Sequence, residues 1–139
     1  MLWEIGFTRR LTAFLDAGLI GVPAYMLFHL TSAGMLAGHP GTLEGLDAHL
    51  AFLPKGYQCE WAVMNLHGSM LPPVKKFVRA SGHTQIGIGD YHYEELGRPT
   101  NAELVHMVVK IATRFGRDIA TPQEARAMLG LAQGRNEQS

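Results

Sequence analysis

Residues 59–80, CEWAVMNLHGSMLPPVKKFVRA, contain the pattern that decides the fold. The run CEWAVMNL (59–66) is almost continuously apolar, which is typical of a strand covered on both faces of a sheet. The run PVKKFVRA (73–80) predicts a helix, because Pro72 and Pro73 are suited to its first turn. A strand followed directly by a helix is the repeating unit of parallel α/β folds.

The same strand–helix unit recurs on both sides of this stretch, so the chain contains it four times. Apolar stripes at helical spacing, two capping boxes and closing glycines mark the helices. The capping boxes are Thr100–Glu103 and Thr121–Glu124. The predicted strands are 2–7, 24–30, 59–66 and 84–90, and the predicted helices are 8–17, 42–53, 73–80, 100–116 and a short terminal helix through 129.

This alternation predicts a parallel sheet with right-handed crossovers. Two architectures fit the order of elements, a small open α/β sheet and half of an eight-stranded barrel, and the pattern alone leaves both open. We assign residues 1–131 to one domain. We expect the polar residues 132–139, AQGRNEQS, to form a frayed tail.

Composition and charge exclude several classes of function. The 139 residues carry 12 basic and 12 acidic side chains, so the formal net charge is zero. We therefore expect no nucleic-acid partner and no anionic membrane surface as a partner. Cys59 is the only cysteine, which excludes an internal disulfide and fits a reducing compartment. No apolar run is long enough to span a bilayer, so we expect a cytoplasmic protein.

Chemically useful side chains occur where the predicted strands end. Ligands of parallel α/β folds bind at the carboxyl ends of the strands, so this edge is the expected site. Imidazole and carboxylate groups there could bind zinc or transfer protons. The candidates that face this mouth are His29, Asn65, His67, Asp90 and His92.

Ordinary structural roles compete with this interpretation. A single histidine near a strand end is more often a packing group than a ligand, and Asp90 fits a loop carboxylate that accepts backbone hydrogen bonds. No two histidines share the H-x-H or H-x-x-x-H spacing, so the metal signal is weak. His39, His49 and His106 fall on a loop or on helices, and we expect them to be solvated.

Residues 81–131 resemble the C-terminal end of the β-keto acid cleavage enzyme family. The amino-terminal half is also similar, with GLIGVPAYMLFHL (18–30), a Gly-rich link and a strand that carries Trp61. Members of this family are longer (β/α)8 barrels, so the resemblance implies that this chain is a half-barrel matching strands five to eight. The motifs that carry the resemblance are Gly82-His83, Gly87, Asp90, Asn101–Val105, Gly116-Arg117 and Ala120–Arg126.

The resemblance also implies a reaction and its cofactors. The family reaction is a metal-dependent acyl transfer between a β-keto acid and acetyl-CoA, which yields acetoacetate and an acyl-CoA. A divalent metal, usually zinc, polarises the keto acid. An arginine and an aspartate at the end of the barrel assist the carbon–carbon bond chemistry.

The family's site residues correspond to only some positions of this sequence. Asp90 matches the family aspartate, and Glu4 matches a glutamate of the fifth strand that helps to organise the site. Gly89 stands at the position of a glutamate metal ligand, and Gln85 stands at the position of the arginine. Glycine offers no ligand atom, and glutamine carries no charge. The other two metal ligands are histidines of an early strand, for which we expect no counterpart here.

Three hypotheses follow from the resemblance. The first, which we favour, is a truncated or degenerate homologue of the family with little activity of its own. The second is a half-barrel subunit that completes its site with a complementary half-barrel chain. The third is a binding module without catalysis, with a new metal site formed by His29, His67 and His92.

We also expect any functional form to be an oligomer, either of identical chains or with the complementary half-barrel chain. Part of a barrel leaves strand edges unpaired and one sheet face uncovered, and such surfaces associate unless they are covered. The positions assigned to that inner face are Ile5, Met26, Phe28, Val63 and Ile86.

Overall fold

The protein is a parallel α/β fold whose helices pack on one side of a four-stranded sheet. The computed structural model describes residues 1–131, and the predicted tail at 132–139 lies outside the described residues. The strands are β1 (Ala24–Thr31), β2 (His39–Pro40), β3 (Cys59–Leu66) and β4 (His83–Thr84). The helices are α1 (Ile5–Asp16), α2 (Leu43–Leu50), α3 (Val74–Arg79), α4 (Asn101–Arg114) and α5 (Pro122–Met128), with one 3-10 turn at Glu94–Leu96.

The strands are arranged as in a sector of a barrel. The sheet order is β2-β1-β3-β4, and all pairings are parallel. On the side of β1 away from β3, Leu2 forms a bridge with Phe28, and β2 pairs with the end of the strand. The order Leu2, β1, β3, β4 therefore follows the chain, as neighbouring strands do in a (β/α)8 barrel. This confirms the predicted fold class.

The predicted first strand, 2–7, is wrong. Only Leu2 joins the sheet, donating to the Leu27 carbonyl at 2.7 Å and accepting from the His29 N–H at 3.0 Å. Glu4 is the extended N-cap residue of α1, which begins at Ile5. Helix α1 forms here instead of a strand because its buried and half-buried residues recur at helical spacing, at positions 8, 11, 12 and 15.

The predicted fourth strand is too long. It was placed at 84–90, but only His83 and Thr84 pair with β3. The chain then turns, since the Asp90 N–H donates to the Gly87 carbonyl at 3.2 Å. Asn101, the first residue of α4, accepts from the Ile88 N–H at 2.9 Å through its side chain. Gly87 and Gly89 weaken a strand at this point. The Ile88 N–H, which a longer strand would pair with its neighbour, is bound to the Asn101 side chain instead.

The hydrophobic core lies between the sheet and its helices. From the strands, alternate residues point into it: Met26, Phe28 and Leu30 of β1, and Trp61 and Val63 of β3. The helices contribute Leu46 of α2, three residues of α3 and Ala112 of α4, and Met70 joins from the loop after β3; the α3 residues are Val74, Phe77 and Val78. Because successive strand residues point to opposite faces, the remaining residues of β1 and β3 form the other face.

The assignment of the inner face is therefore wrong at Met26, Phe28 and Val63, which are buried under the helices. A shift of one residue turns every side chain of a strand to the opposite face of the sheet. Because these strands are almost uniformly apolar, the sequence does not show which of their side chains face the helices. Ile5 and Ile86 are half-buried. The face opposite the helices, called the inner face from here on, carries Tyr25, Leu27, His29, Glu60, Ala62 and Met64.

The expectation that His39 and His49 are solvated is also wrong. His49 on α2 is fully buried and stacks on Phe28, with ring centroids 4.6 Å apart. The half-buried His39 meets it edge-on at 4.8 Å. Neither ring nitrogen of His49 has a hydrogen-bond partner. Burial, with a smaller contribution from His39, lowers the pKa of His49 from 6.5 to about 4. His106 is exposed, as predicted.

The helix ends follow the sequence closely. Both predicted capping boxes form, with Thr100 and Glu103 at the start of α4 and Thr121 and Glu124 at the start of α5. Gly116 follows α4 in the left-handed conformation, at φ 73°, which glycine adopts at no steric cost. Within residues 1–131, no helix combines the length and the apolar character that crossing a membrane requires.

Candidate functional site at the carboxyl edge of the sheet

The residues that follow β3 and β4 meet at the carboxyl edge of the sheet. The backbone N–H of His67, just after β3, donates to the carbonyl of Asp90 at 2.8 Å. Burial lowers the pKa of His29, near the end of β1, and the negative charge of Asp90 opposes this shift. The structure thus places Asp90 beside the end of β3, where its charge acts on His29.

His29 is buried at this edge on the inner face. Its side chain is 4% exposed, and its ring lies against the Trp3 indole with centroids 3.6 Å apart. The Nδ1 atom has no hydrogen-bond partner. Burial is the largest effect on its pKa and lowers it, while the Asp90 charge opposes this shift. His29 is therefore a neutral imidazole at neutral pH, a form that can either donate or accept a proton.

Asn65 lies at the same edge but on the helix-facing side, because it pairs in register with Leu30. It accepts from the Ser32 hydroxyl at 3.1 Å and donates to the Ser69 carbonyl at 3.2 Å. A Cβ atom at Gly41 or Gly68 would lie within 2.5 Å of the Asn65 amide nitrogen. Asn65 thus holds the loops after β1 and β3 together, and glycine is needed where those loops approach it.

The other two histidines are not gathered around His29. His67 is exposed and has a left-handed backbone, at φ 59°. His92 is exposed and lines a shallow depression with Ile88, Arg98 and Pro99.

Zinc, which the family resemblance implies, does not fit the donors of residues 1–131. In that range, no three His, Cys, Asp or Glu side chains are grouped so that they could hold a metal ion. Gly89 has no donor atom in its side chain. The hypothesised metal set of His29, His67 and His92 is thus not assembled within residues 1–131.

The strand-end positions that match the family site are open to solvent. Gln85 is exposed; its backbone N–H donates to the Val63 carbonyl at 3.0 Å, and its amide nitrogen lies 3.7 Å from the Met64 sulfur. A Cβ atom at Gly89 would meet nothing within 4 Å. The Asp90 side chain, by contrast, is half-buried. Of these three positions, only Asp90 is thus partly covered by the rest of the fold.

Glu4 does not lie in a strand of this site. It is exposed at the N-cap of α1, and its side chain makes no capping hydrogen bond. Its backbone carbonyl accepts from the Phe7 N–H at 2.9 Å. The role carried over from the family's fifth strand stays a prediction, because the element on which it was based is a helix start.

Two residues near this edge were not anticipated. Trp3 covers His29, and Tyr93 is fully buried with its hydroxyl accepting from the Met70 N–H at 3.2 Å. Burial raises the pKa of Tyr93. Tyr93 has a left-handed backbone, at φ 52°, which a non-glycine residue adopts only when surrounding contacts hold it. Sequence patterns carry no signal for such a residue in a loop.

Comparison with known proteins identifies a family and several relatives of this chain. A sequence model of the family described as beta-keto acid cleavage enzyme matches residues 1–131. The chain is 32% identical over 117 residues to a 3-keto-5-aminohexanoate cleavage enzyme of Acetoanaerobium sticklandii, covering 83% of this chain and 41% of that protein. It is 35% identical over 81 residues to the enzyme of the same name from Fusobacterium nucleatum, covering 57% and 29%.

A third relative is named for a different substrate. It is a 3,5-dioxohexanoate:acetyl-CoA acetone transferase of Paraburkholderia graminis, 25% identical over 138 residues, with 96% of this chain and 44% of that protein covered. The chain thus spans less than half the length of these curated relatives. Because the family model covers all but the last residues, the chain belongs to the β-keto acid cleavage enzyme family.

Proposed function

We propose that this chain takes part in the reaction of its family, an acyl transfer between a β-keto acid and acetyl-CoA that gives acetoacetate and a new acyl-CoA. Family membership supports the reaction class. The name of the Paraburkholderia relative supports acetyl-CoA as the co-substrate. The observation that carries the proposal is the position of Asp90, which matches the family aspartate and is held at the carboxyl edge beside His29.

Asp90 is proposed as the base that starts the reaction. The carbon between the ketone and the carboxylate of a β-keto acid carries an acidic hydrogen. Transfer of this proton to the Asp90 carboxylate leaves its electron pair on the substrate as an enolate, which attacks the acetyl carbonyl of acetyl-CoA and expels the CoA thiolate. The thiolate then attacks the substrate's original ketone carbon, and the bond from that carbon to the former enolate carbon breaks. This step releases the new acyl-CoA, and the acetoacetate carbanion takes back the proton from Asp90. A base positioned in this way contributes roughly 100- to 10,000-fold to a rate.

No step of this proposal passes through a metal. The donors within residues 1–131 do not form a zinc site, so zinc at this edge would need ligands from outside that range. A cytoplasmic location belongs to the proposal, and it is supported by the single cysteine and by acetyl-CoA as co-substrate.

The test is an assay of acetoacetate formation from acetyl-CoA and a series of β-keto acids. We expect Asp90→Asn to lower kcat/KM at least roughly 100-fold, because the amide cannot take up the proton. Asp118→Asn is the matched control, since Asp118 is exposed and lies after α4. Acetoacetate formation no faster than in buffer, or equal rates for Asp90→Asn and the wild type, would exclude the proposed role.

An association of chains is proposed as the form that carries out this reaction. On the inner face, Tyr25 is 54% exposed and Leu27 and Glu60 are half-buried, whereas His29, Ala62 and Met64 are already buried within the chain. The outer strands β2 and β4 have two residues each. A second copy of this chain or a complementary half-barrel chain would cover this face. Size-exclusion chromatography with light scattering tests the first case, and a monomer at micromolar concentration would contradict it.

A further inference from the structure

An apolar groove of about 740 Å³ lies beside β4, at one end of the sheet. Within residues 1–131, β4 is the outermost strand and pairs only with β3. One wall of the groove is α4, which presents Val105, Val108 and Val109 to it at helical spacing. Val105 is 50% exposed, and Ile119, which also lines the groove, is 53% exposed. This end of the sheet therefore has an uncovered apolar surface.

The opposite end of the sheet exposes an apolar side of α1. Phe7 and Phe14 are two turns apart on one side of this helix, and each is 42% exposed. The Arg10 guanidinium lies on the same side, 5.8 Å from the centre of the Phe7 ring. At this end, Leu2 forms its bridge on the side of β1 away from β3. Large apolar groups are thus exposed at both ends of the sheet, and such surfaces mark sites of association.

The two surfaces are complementary in shape and direction. Aromatic rings protrude from α1, whereas the space between α4 and β4 is a recess. Each helix follows a strand of the parallel sheet, so the two would run in the same direction in neighbouring strand–helix units of a barrel. Phe7 and Val105 both lie in the first two turns of their helices. They would therefore meet at a similar height along such a pair of helices.

The exposed area of the chain is also larger than a compact monomer needs. The chain exposes 8849 Å². Residues 132–139 contribute at most the area of a fully solvated chain of their length, about 1,250 Å². The remaining area, roughly 7,600 Å², exceeds the area of a compact domain of that mass, about 6,850 Å². The excess is close to the 800 Å² or so that one partner contributes to a standard interface.

We propose that the groove beside β4 binds α1 of a second copy of this chain, whose own groove binds α1 of the first. Each copy provides four strand–helix units in sequence order, so two copies would close a ring of eight units through two identical contacts. Leu2 of one copy then lies beside β4 of the other. The formal net charge of zero gives the copies no overall repulsion. The inference rests on the proposed association of chains, and it commits that association to one partner and one surface.

The test compares the dimer dissociation constants of variants of the full chain by size-exclusion chromatography with light scattering over a concentration series. Phe7→Glu and Val105→Lys each place an unpaired charge in both contacts. Each is expected to raise the dissociation constant roughly 100-fold or more, because burying such a charge is costly. Phe52→Glu is the control, since Phe52 is 45% exposed in the turn after α2, away from both ends of the sheet. Circular dichroism checks that every variant is folded.

Mixing the two variants separates this arrangement from a loss of folding. In a mixed dimer, one contact pairs the introduced carboxylate with the introduced ammonium, and the other contact is unchanged. An equimolar mixture of Phe7→Glu and Val105→Lys should therefore dimerise at concentrations at which each variant alone is a monomer. A mixture that stays monomeric at those concentrations would overturn the proposal.

The remaining outcomes distinguish this proposal from the proposed function. If the wild type dimerises and neither substitution changes its dissociation constant, the association uses another surface and the groove proposal alone falls. A wild type that is monomeric at micromolar concentration overturns the groove proposal, while the acetoacetate assay still decides the reaction. If the dimer behaves as expected and no β-keto acid is converted, the dimer stands and the reaction falls.

Discussion

The backbone N–H of His67 donates to the carbonyl of Asp90 at 2.8 Å, so the ends of two neighbouring strand–helix units are joined by main-chain atoms. Because this contact does not depend on either side chain, the Asp90 carboxylate can be replaced without moving the loop that carries it. Substitutions at Asp90 therefore test chemistry, while the following substitutions test the structure around it.

Acid should destabilise the fold through His49. The pKa of His49 is lowered from 6.5 in the unfolded chain to about 4 in the folded protein, so the stabilisation is complete above pH 6.5. It is lost as the pH falls from 6.5 toward 4, and the loss amounts to about 3 kcal/mol. Urea unfolding as a function of pH measures it.

His49→Phe keeps a ring beside Phe28 and removes the titrating group, so its free energy of unfolding should change less over this pH range. His106→Phe is the control, because His106 is exposed, and it should follow the wild type. If His49→Phe and the wild type lose stability in parallel, His49 is not the group responsible.

Substitution by alanine should lower the stability of the fold at Gly82 but leave it nearly unchanged at Gly89. A Cβ atom at Gly82 would lie 2.1 Å from Cη2 of Trp61, a buried core residue, whereas one at Gly89 meets nothing within 4 Å. Gly82→Ala must displace the indole, and we expect it to lower the free energy of unfolding by about 1–3 kcal/mol. Gly89→Ala should change it by less than about 0.5 kcal/mol. Thermal unfolding compares the melting temperatures of the two variants. Equal melting temperatures would contradict the close packing of Gly82 against Trp61.

Arg117 should contribute to stability through two backbone acceptors. Its guanidinium donates to the carbonyls of Val78, at 3.4 Å, and of Gly82, so it joins the segment after α4 to the last turn of α3 and to the residue before β4. Arg117→Met is expected to cost about 2 kcal/mol, since buried carbonyls lose a charged donor. Arg114→Met, at an exposed position of α4, is the control in chemical unfolding. A cost for Arg117→Met as small as that of the control would show that this link is not stabilising.

Restoring a cation at position 85 should change ligand selectivity. Gln85 is exposed, and Gln85→Arg supplies a charged donor for carboxylates, so butyrate, a simple carboxylate, should bind more tightly than to the wild type. The added affinity should fall with salt, because an exposed ion pair is screened. Titrations with butyrate at low and high salt measure this gain in affinity, with Gln123→Arg as the control. An equal gain in both variants would be non-specific and would contradict the prediction.

The sequence predicts the helix ends and the central strands well, because these depend on short local motifs and on long apolar runs. The capping boxes at Thr100 and Thr121 form as predicted, because each depends on residues three positions apart. The strands β1 and β3 were found within one residue, because both are long apolar runs that lie in the centre of the sheet.

Predictions fail where contacts with distant parts of the chain determine whether a segment forms a strand or a helix, or whether a side chain is buried or exposed. The segment from Leu2 to Phe7 is apolar enough for a strand, but only Leu2 reaches the edge of β1. The burial of His49 depends on Phe28 and His39, which lie in other elements. The side of the sheet on which Phe28 lies is not encoded in a uniformly apolar strand. The edge that carries Asp90 was predictable from strand polarity, but the cover that Trp3 provides for His29 was not.

The two tryptophans of this chain report on separate parts of it. Trp3 stacks on His29 at the proposed site, whereas Trp61 is packed in the core against Phe28. Indole emission depends on the polarity around the ring, so Trp3 should act as an optical sensor of ligand entry and Trp61 as one of unfolding. Trp3→Phe would leave a single-tryptophan protein whose fluorescence follows the fold alone.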